Sequence, residues 1–277
     1  DLGVRHTAVP EMVPGRALLA GTGQVVQIAR PADGVAADAA RLAAAVPTPD
    51  RPPLRVTTLA TSVPLADVGA TAQLGSRPWR VPVGVSEQTL GPAELVVYEG
   101  EHALVAGPAR SGKSTALLTV AAACRAARSD LTVVTVAGPR SPLSTDPLAG
   151  RVLHPSAVDV ELMPLVDGTE GPLLVLVDDA EAIEDTGGVL GPLSIAERPD
   201  LLVVAAGRND GIRSGYSHWS RSLRRAKLGV LLVPDIDLDG EILGAKLPRR
   251  APVAMAVGRG YVVNGGEPDL AQLALPR

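Results

Sequence analysis

Short, predominantly apolar runs recur along the middle of the chain, and sequence of helical composition separates each run from the next. Their residues do not alternate strictly between apolar and polar, as expected of strands that are buried on both faces of a parallel sheet. Alternation of such strands with crossover helices is typical of an α/β fold. We predict five buried strands, over residues 102–106, 131–136, 173–177, 201–206 and 228–233.

The two ends of the chain share a pattern. Gly15-Arg16 opens an apolar run that passes through a glycine-containing turn to Gln27, and Gly258-Arg259 opens a similar run that ends at Gln272. Two β-rich arms around a glycine turn are typical of a hairpin. We predict two closing hairpins of the same kind. The alternative is a chance likeness between two glycine-rich segments.

The segment after the first hairpin predicts the domain boundary. Residues 35–46 have the alanine and leucine content of a short helix, and the proline-rich residues 47–53 are typical of a linker. If a hairpin of this kind closes each module, residues 1–32 are the tail of a preceding module and residues 33–277 form the domain itself. Because the chain begins with Asp1, we expect it to be a segment of a longer protein.

The composition restricts the class of protein. Of the 277 residues, 46% are hydrophobic but only 2% are aromatic, with no Phe, so the core must be aliphatic. This is too few aromatic side chains for single-strand nucleic-acid binding by base stacking. The 26 basic and 30 acidic residues give a net charge of −4. An acidic balance disfavours a general polyanion binder, and hence DNA as a partner.

Cysteine usage and hydropathy exclude further classes. Cys124 is the only cysteine of the sequence. The chain therefore forms no internal disulfide and holds no cysteine-based zinc site, which favours a reducing compartment. The apolar runs are far shorter than the roughly 18 residues that span a bilayer. We expect a soluble segment that makes no direct contact with a membrane.

A phosphate-binding motif follows the first predicted strand. Residues 107–114 read Gly-x-x-x-x-Gly-Lys-Ser and lead into helical sequence, which is the context that such a loop requires. The glycines let backbone N–H groups face phosphates, while Lys113 adds a cation and Ser114 a ligand for Mg²⁺. We predict ATP and Mg²⁺ as ligands; the alternative is a chance match in a glycine-rich loop. The predicted nucleotide-binding residues are Gly107, Pro108, Ala109, Arg110, Ser111, Gly112, Lys113, Ser114 and Thr115.

Two carboxylates follow the third predicted strand. Because the carboxyl ends of parallel strands face the ligand crevice, we predict that Asp178 holds Mg²⁺ together with Ser114. Asp179 occupies the position of the water-activating base, where Glu is more common; Asp is one methylene shorter, and catalysis depends steeply on geometry. The predicted catalytic residues are Lys113, Asp178 and Asp179, with Glu181 as an alternative base. The two carboxylates could instead serve only as a turn or helix cap.

Polar groups further along the chain are candidates for sensing or interface roles. Arg208 and Asn209 follow the fourth predicted strand, where a γ-phosphate sensor commonly lies, but loop capping explains them equally well. Arg221, Arg224 and Arg225 belong to a basic segment. This segment is either a solvated helix face, an interface whose arginine reaches a neighbour's γ-phosphate, a contact with another module, or part of a nucleic-acid track.

Taken together, these motifs resemble the FtsK/SpoIIIE family of RecA-like motor ATPases, most closely the C-terminal modules of the EccC/EssC ATPases of type VII secretion. The likeness rests on the phosphate loop, the Asp178-Asp179 pair and the Gly-Arg and Gln positions of both hairpins. It extends through residues 206–208, the arginine-rich segment with Trp219, and residues 239–250. The resemblance implies a RecA-like P-loop NTPase, an α/β fold with an additional strand, a parallel sheet core flanked by helices, and edge hairpins.

The resemblance also implies a function. It indicates an ATP-binding, weakly hydrolysing cytoplasmic module of a membrane-anchored bacterial secretion motor that engages substrates and assembles into a homo-oligomeric ring. The expected partners are neighbouring ATPase modules of the same chain and secreted helical-hairpin proteins with a C-terminal signal. The alternatives are an FtsK-like DNA translocase module and a non-motor, nucleotide-dependent regulatory domain.

Overall fold

The structure is a computed structural model that describes residues 13–19, 22, 24–29, 34–45, 58–215, 217–249 and 253–277. The chain divides into two compact units, residues 1–56 and residues 57–277. The first unit contains a hairpin of strands β1 (Arg16–Leu18) and β2 (Val25–Gln27), and helix α1 (Val35–Ala45). This hairpin and this helix lie where the sequence predicts them. The predicted linker and the predicted boundary at residue 33 lie outside the described residues.

A single sheet organises the second unit. The strands of this sheet pair in antiparallel fashion at one end and in parallel fashion at the other. Its ten strands among the described residues are β3 (Trp79–Ser86), β4 (Pro92–Val97), β5 (Ala103–Ala106), β6 (Thr132–Val136), β7 (Arg151–Leu153), β8 (Leu173–Val177), β9 (Leu201–Gly207), β10 (Gly229–Leu232), β11 (Arg259–Asn264) and β12 (Glu267–Leu273). They pair in the order β4-β3-β12-β11-β10-β5-β9-β8-β6-β7. The strands from β10 to β7 are parallel, whereas β4, β3, β12 and β11 pair in antiparallel fashion.

The five strands predicted from the sequence form most of the parallel region, as β5, β6, β8, β9 and β10. Strands β8 and β9 are buried along their whole lengths, which explains why their sequences are continuously apolar. Strand β9 lies between β5 and β8 and is the predicted additional strand. Because these strands are parallel, the loops that leave their carboxyl ends meet at one edge of the sheet.

Helices cover both faces of the sheet. Helix α2 (Lys113–Ala127) packs on one face, whereas α3 (Met163–Asp167), α4 (Leu190–Leu193), α5 (Asn209–Ser214) and α6 (Arg221–Arg225) contribute to the core on the other face. Successive residues of β5 alternate between these two cores: Val105 belongs to the α2 side, and Leu104 and Ala106 belong to the other. Both cores are dominated by Val, Leu and Ala, as the composition predicts.

The hairpin of β3 and β4 and the short strand β7 are not predicted by the sequence pattern. Strand β3 contains Pro82 and Gly84, which normally argue against a strand interior. The structure accommodates both at a register irregularity opposite β4. A Cβ atom at Gly84 would collide with the carbonyl oxygen of Gln272. The glycine is therefore needed for the close approach of β12, which only the folded sheet reveals.

Candidate functional site

The loop between β5 and α2 has the backbone of a phosphate cradle. A Cβ atom at Gly107 would lie 2.5 Å from Oγ of Ser111 and 2.9 Å from Cβ of Leu232, so this position admits only glycine without rearrangement. Gly112 has a φ of 104°, in the region that favours glycine. Local geometry thus explains why glycine occupies both positions, and together the two glycines allow the loop to curl back over the start of α2.

Lys113 is the first residue of α2, and its ammonium group lies inside the curl of this loop. Nζ of Lys113 donates a 2.9 Å hydrogen bond to the carbonyl oxygen of Pro108, and the residue is only 8% exposed. A buried ammonium requires partners of opposite charge or several acceptors. The loop therefore holds a cation where an anionic ligand could compensate it.

Asp178 lies at the end of β8 and is 2% exposed. Its Oδ2 accepts hydrogen bonds from Oγ of Ser114, at 2.9 Å, and from Oγ of Ser141, at 2.6 Å. Its Oδ1 is buried and has no hydrogen-bond partner among the described residues. A buried polar atom without a partner is uncommon in a native protein. Because Mg²⁺ is typically held by a carboxylate with several waters and phosphate oxygens, the donor set of Asp178 and Ser114 fits this ion.

Ser141 is a site residue that the sequence analysis missed. It follows β6, so its position just beyond the carboxyl end of a parallel strand is a signal that could have identified it. Besides its bond to Asp178, its hydroxyl accepts a 3.1 Å hydrogen bond from the backbone N–H of Leu143. Ser141 therefore fixes both the carboxylate and the turn that follows β6.

Asp179 directs its carboxylate into the same region. Its φ of 49° is left-handed, which turns the chain sharply after β8. Partial burial and the neighbouring charge of Asp178 raise the pKa of Asp179, while Lys113 and Arg208 act in the opposite direction. A raised pKa at a carboxylate in a cleft is suited to a group that accepts a proton.

Glu181, the alternative base, lies beside the end of β9, and its Oε2 is buried without a hydrogen-bond partner among the described residues. A Cβ atom at Gly207 would lie 2.8 Å from Oε2 of Glu181, and one at Gly211 would lie 2.7 Å from its Cβ. The side chain therefore packs against the turn between β9 and α5. Glu181 is not among the residues that line the cleft described next.

A cleft of about 490 Å³ joins most of the predicted site residues. Its lining consists of Ala109, Arg110, Gly112, Lys113, Ser114, Thr115, Pro142, Asp179, Arg208 and Val257. A second cavity of about 210 Å³ shares Gly112, Thr115 and Val257 with it and continues towards Leu273 and Leu275 of the C-terminal segment. The two cavities therefore adjoin at these three shared residues.

The C-terminal hairpin supports the phosphate loop from the side. The backbone N–H of Gly258 donates a 3.0 Å hydrogen bond to the carbonyl oxygen of Ser111. The neighbouring Arg259 is 4% exposed and donates to Oε1 of Gln272 at 3.2 Å and to the carbonyl oxygens of Ala254 and Ala60, each at 2.8 Å. Arg259 thus ties three chain segments together behind the loop. Sequence reasoning identified this residue only as part of a hairpin pattern.

The two candidates for sensing occupy different places. Arg208 lines the cleft and is exposed, with Nη2 at 3.0 Å from Oδ2 of Asp210. Asn209 is buried instead, and its Nδ2 donates a 2.5 Å hydrogen bond to Oδ2 of Asp239. Asp239 also pairs with Arg213 at 3.1 Å. Of the two, only Arg208 is placed to contact a ligand in the cleft.

The candidate interface arginines lie far from the phosphate loop along the direction of the strands. Helix α6, which carries Arg221, Arg224 and Arg225, leads into the start of β10, and β10 runs parallel to β5. The phosphate loop leaves the other, carboxyl end of β5. The three arginines line a separate cleft of about 330 Å³ together with Lys227 and Glu241. They are therefore not placed to contact a nucleotide on their own phosphate loop.

Membrane-spanning helices and clusters of metal-binding side chains are both absent from the described residues. Within the part of the chain that the structure describes, no helix has the length and apolar character needed to cross a bilayer. In the same residues, no group of three or more His, Cys, Asp or Glu side chains is arranged to hold a metal ion. Asp178 and Ser114 differ from such a cluster, because phosphate oxygens and water would supply most of the coordination of Mg²⁺.

Comparison with known proteins identifies the fold. No protein-family model matches the sequence, and no curated protein matches it. Among solved structures, the cytoplasmic domain of the Thermomonospora curvata type VII secretion ATPase EccC is 23% identical, with a TM-score of 0.61 over 96% of this chain and 35% of that chain. ATPases 2 and 3 of T. curvata EccC, solved in complex with a signal sequence peptide, are 22% identical, with a TM-score of 0.62 over 97% and 54%.

A third similar structure is the pCW3 conjugation coupling protein TcpA with ATPγS, which is 16% identical, with a TM-score of 0.52 over 79% of this chain and 71% of that chain. The chain spans 35% and 54% of the two EccC chains, so it corresponds to only part of them. The shared architecture confirms the predicted RecA-like P-loop fold, with its parallel core and additional strand. The closing hairpin of β11 and β12 lies inside the sheet, between β10 and β3, and not at its edge as predicted.

Proposed function

We propose that this chain is an ATP-binding module of a type VII secretion motor, of the EccC/EssC type within the FtsK/SpoIIIE family. The observation that supports this most strongly is the environment of Asp178. One of its oxygens binds Ser114 of the phosphate loop, and the other is buried without a partner. A carboxylate in this state beside a phosphate cradle is suited to a hydrated Mg²⁺ on a nucleotide. The fold shared with EccC supports secretion as the setting.

Each part of the site has a role in ATP binding under this proposal. The backbone N–H groups of the loop would donate to the phosphates, and Lys113 would exchange the Pro108 carbonyl for phosphate oxygens. Ser114 and Asp178 would hold Mg²⁺, which neutralises phosphate charge when it is bound. The smaller cavity beyond Thr115, with its Leu and Ala lining, would take the nucleoside.

Hydrolysis would depend on Asp179. Its carboxylate lines the cleft and has a raised pKa, so it can accept the proton of an attacking water. Because Asp is one methylene shorter than Glu, its oxygens stay closer to the backbone, and we expect slow turnover. Arg208 lines the same cleft and would contact the terminal phosphate.

The remaining partners follow from the proposed family. We infer that the module works on the cytoplasmic side of a membrane-anchored bacterial complex, beside other ATPase modules and in a homo-oligomeric ring. The basic cleft at Arg224 and Arg225 is suited to a contact between such modules. Since T. curvata EccC was solved with a signal sequence peptide, we propose that this chain likewise binds the C-terminal signal of a small, helical-hairpin secreted protein.

Nucleotide binding is tested by calorimetry with Mg-ATP on the chain, its Lys113→Ala variant and the matched control Lys246→Ala. Lys246 is exposed and is not among the residues that line the cleft. We expect the first substitution to weaken binding at least tenfold and the second to leave it unchanged. Equal affinities for the chain and Lys113→Ala would contradict an ATP site at this loop.

The secretion setting is tested by comparing two ligands. A peptide with the C-terminal signal of a type VII substrate and a DNA duplex are each titrated into the ATP-loaded chain. We expect the peptide to bind and the duplex not to bind, since the net charge is −4. Binding of the duplex alone would contradict the secretion setting and support the alternative, a DNA translocase module. Binding of neither, without ATP turnover, would favour a regulatory domain.

A further inference from the structure

The hairpin of β1 and β2 repeats the hydrogen bonding of the hairpin of β11 and β12. In the first, Arg16 pairs with Gln27, and in the second, Arg259 pairs with Gln272. The N–H of Arg16 donates to the carbonyl oxygen of Val13 at 2.9 Å, as Arg259 donates to that of Ala256 at 2.9 Å. The repeat is therefore one of structure as well as sequence.

The glycine and glutamine of each hairpin form the same arrangement. Gly15 has a φ of 83° and Gly258 a φ of 75°. The N–H of Ile28 donates to the carbonyl oxygen of Gly15 at 2.7 Å, and the N–H of Leu273 donates to that of Gly258 at 2.7 Å. A Cβ atom at Gly15 would lie 2.6 Å from Nε2 of Gln27, and one at Gly258 would lie 2.9 Å from Nε2 of Gln272.

The two glutamine amides also make the same bond. Nε2 of Gln27 donates to the carbonyl oxygen of Pro14 at 3.3 Å, and Nε2 of Gln272 donates to that of Val257 at 3.2 Å. In each case, the acceptor is the residue before the glycine. A chance likeness between two glycine-rich turns does not explain agreement at the turn, the pairing register and the side-chain amide.

The C-terminal copy shows how such a hairpin joins a sheet. Strand β11 pairs with β10, and strand β12 pairs with β3, so the hairpin bridges the parallel and antiparallel parts of the sheet. The turn that precedes it holds the phosphate loop through the bond from Gly258 to Ser111. The hairpin is therefore a structural part of the nucleotide site.

In the N-terminal hairpin, apolar side chains are exposed at positions where the equivalent side chains of the C-terminal hairpin are buried. Leu19, Val25 and Ile28 are 48%, 52% and 64% exposed. By the pairing register, their counterparts are Val262, Leu270 and Leu273, which are 1%, 7% and 5% exposed. An isolated two-stranded hairpin is only marginally stable in water, so an apolar hairpin of this kind requires a sheet to join.

We propose that residues 13–28 are the closing hairpin of a second P-loop ATPase module and complete the nucleotide site of that module. Strand β1 would pair with the partner strand equivalent to β10, and β2 with the one equivalent to β3. The N–H of Gly15 would donate to the phosphate loop of the partner, as Gly258 does here. The inference rests on the proposed function only in naming the partner a nucleotide-binding module.

The test is a chimera in which residues 256–273 are replaced by residues 13–28, compared with a chimera that carries the same sixteen residues in scrambled order. We expect the first chimera to unfold cooperatively by circular dichroism, with a midpoint well above that of the scrambled one. Gly15→Ala in the chimera and Gly258→Ala in the natural chain should lower the midpoint alike, since each adds a Cβ atom against a glutamine amide. Equal midpoints for the native and scrambled hairpins would overturn the proposal.

A second measurement uses the natural fold. Deletion of residues 1–30 should leave the affinity of the chain for Mg-ATP within twofold, because the hairpin serves another module. A loss of tenfold or more would overturn the proposal, because the hairpin would then serve the nucleotide site of its own chain. The melting comparison needs no nucleotide. If the natural chain fails to bind ATP, the proposed function fails, while the melting comparison still decides the role of the hairpin.

Discussion

Oγ of Ser114 donates a 2.9 Å hydrogen bond to Oδ2 of Asp178 and thereby links the first turn of α2 to the end of β8. The two residues are distant in sequence, and they meet because β9 places β8 close to β5. The bond orients the carboxylate so that its second oxygen is buried without a partner. The phosphate loop and the acidic strand end therefore act as one unit.

Substitution of Asp178 by Asn should uncouple nucleotide binding from magnesium. The amide keeps the shape of the carboxylate and an oxygen that can accept from Ser114, but it removes the charge that attracts the ion. We expect the ratio of ATP affinities with Mg²⁺ and with EDTA, measured by calorimetry, to fall about tenfold, which is about 1.4 kcal/mol.

The matched control for Asp178→Asn is Ser141→Ala. It removes the other hydroxyl that donates to Oδ2 and leaves the charge in place. The control should lower the unfolding free energy by about 1 kcal/mol, the typical contribution of one hydrogen bond, with little change in the magnesium dependence. Equal magnesium dependence of the natural chain and Asp178→Asn would contradict the assignment of Asp178 as a magnesium ligand.

Lengthening the side chain at Asp179 should raise turnover. Glu is more common than Asp at the position of the water-activating base, and Asp179→Glu adds the missing methylene group. We therefore expect steady-state kcat to increase several-fold. Asp179→Asn should abolish most of the activity. Glu181→Gln is the control. Because Glu181 packs against Gly207 and Gly211, this substitution should change kcat little. A larger loss in Glu181→Gln than in Asp179→Asn would identify Glu181 as the base instead.

The pH dependence of kcat provides an independent check on Asp179. Desolvation and the charge of Asp178 raise its pKa above the usual value for aspartate, so its protonation begins at a higher pH. A base works in its deprotonated form, and kcat should therefore fall on acidification through this raised pKa. This fall in kcat on acidification, the acid limb of the pH profile, should be missing from the residual activity of Asp179→Asn. An unchanged acid limb in that variant would assign it to another group.

The phosphate loop and Asp178 could be predicted from the sequence because their signals are local. The loop has its own motif, and Asp178 directly follows an apolar strand. The place of Ser141 after a predicted strand makes it a candidate, but its bond to Asp178 and the contacts of Arg259 could not be predicted in the same way. Their roles depend on which strands become neighbours, and strand order is set by contacts between residues that are distant in sequence. The location of α6 at the opposite ends of the strands likewise follows from the parallel pairing of β10 with β5.

Gly107 and Gly138 offer a comparison between two glycines that follow parallel strands. Gly107→Ala places a Cβ atom against Ser111 and Leu232, whereas nothing lies within 4 Å of a Cβ atom at Gly138. We expect Gly107→Ala to lower the unfolding free energy by about 1–3 kcal/mol, as overpacking does, and to weaken ATP binding at least tenfold. Gly138→Ala should leave both quantities almost unchanged. Similar effects of the two variants in urea unfolding and calorimetry would contradict the tight curl of the loop.

His102 should make the stability of the chain sensitive to mild acid. Burial, with a smaller contribution from the charge of Arg77, lowers its pKa from 6.5 to about 4. Nδ1 of His102 accepts a 3.2 Å hydrogen bond from the N–H of Val203, so the folded state holds the neutral ring. The unfolded chain binds a proton at a higher pH than the folded one, and stability must therefore fall as the pH decreases from about 6.5 to about 4. A shift of this size corresponds to about 3 kcal/mol.

His102→Asn isolates this contribution, because the amide oxygen of Asn can accept the same bond from Val203 without titrating. We expect urea unfolding between pH 4.5 and 7.5 to show a shallower loss of stability on acidification for this variant than for the natural chain. His154 is the control, since its ring makes an exposed hydrogen bond to Ser156. His154→Asn should keep the steep dependence of the natural chain. The same steep dependence in His102→Asn would mean that other groups, and not the buried imidazole, bind the proton on unfolding.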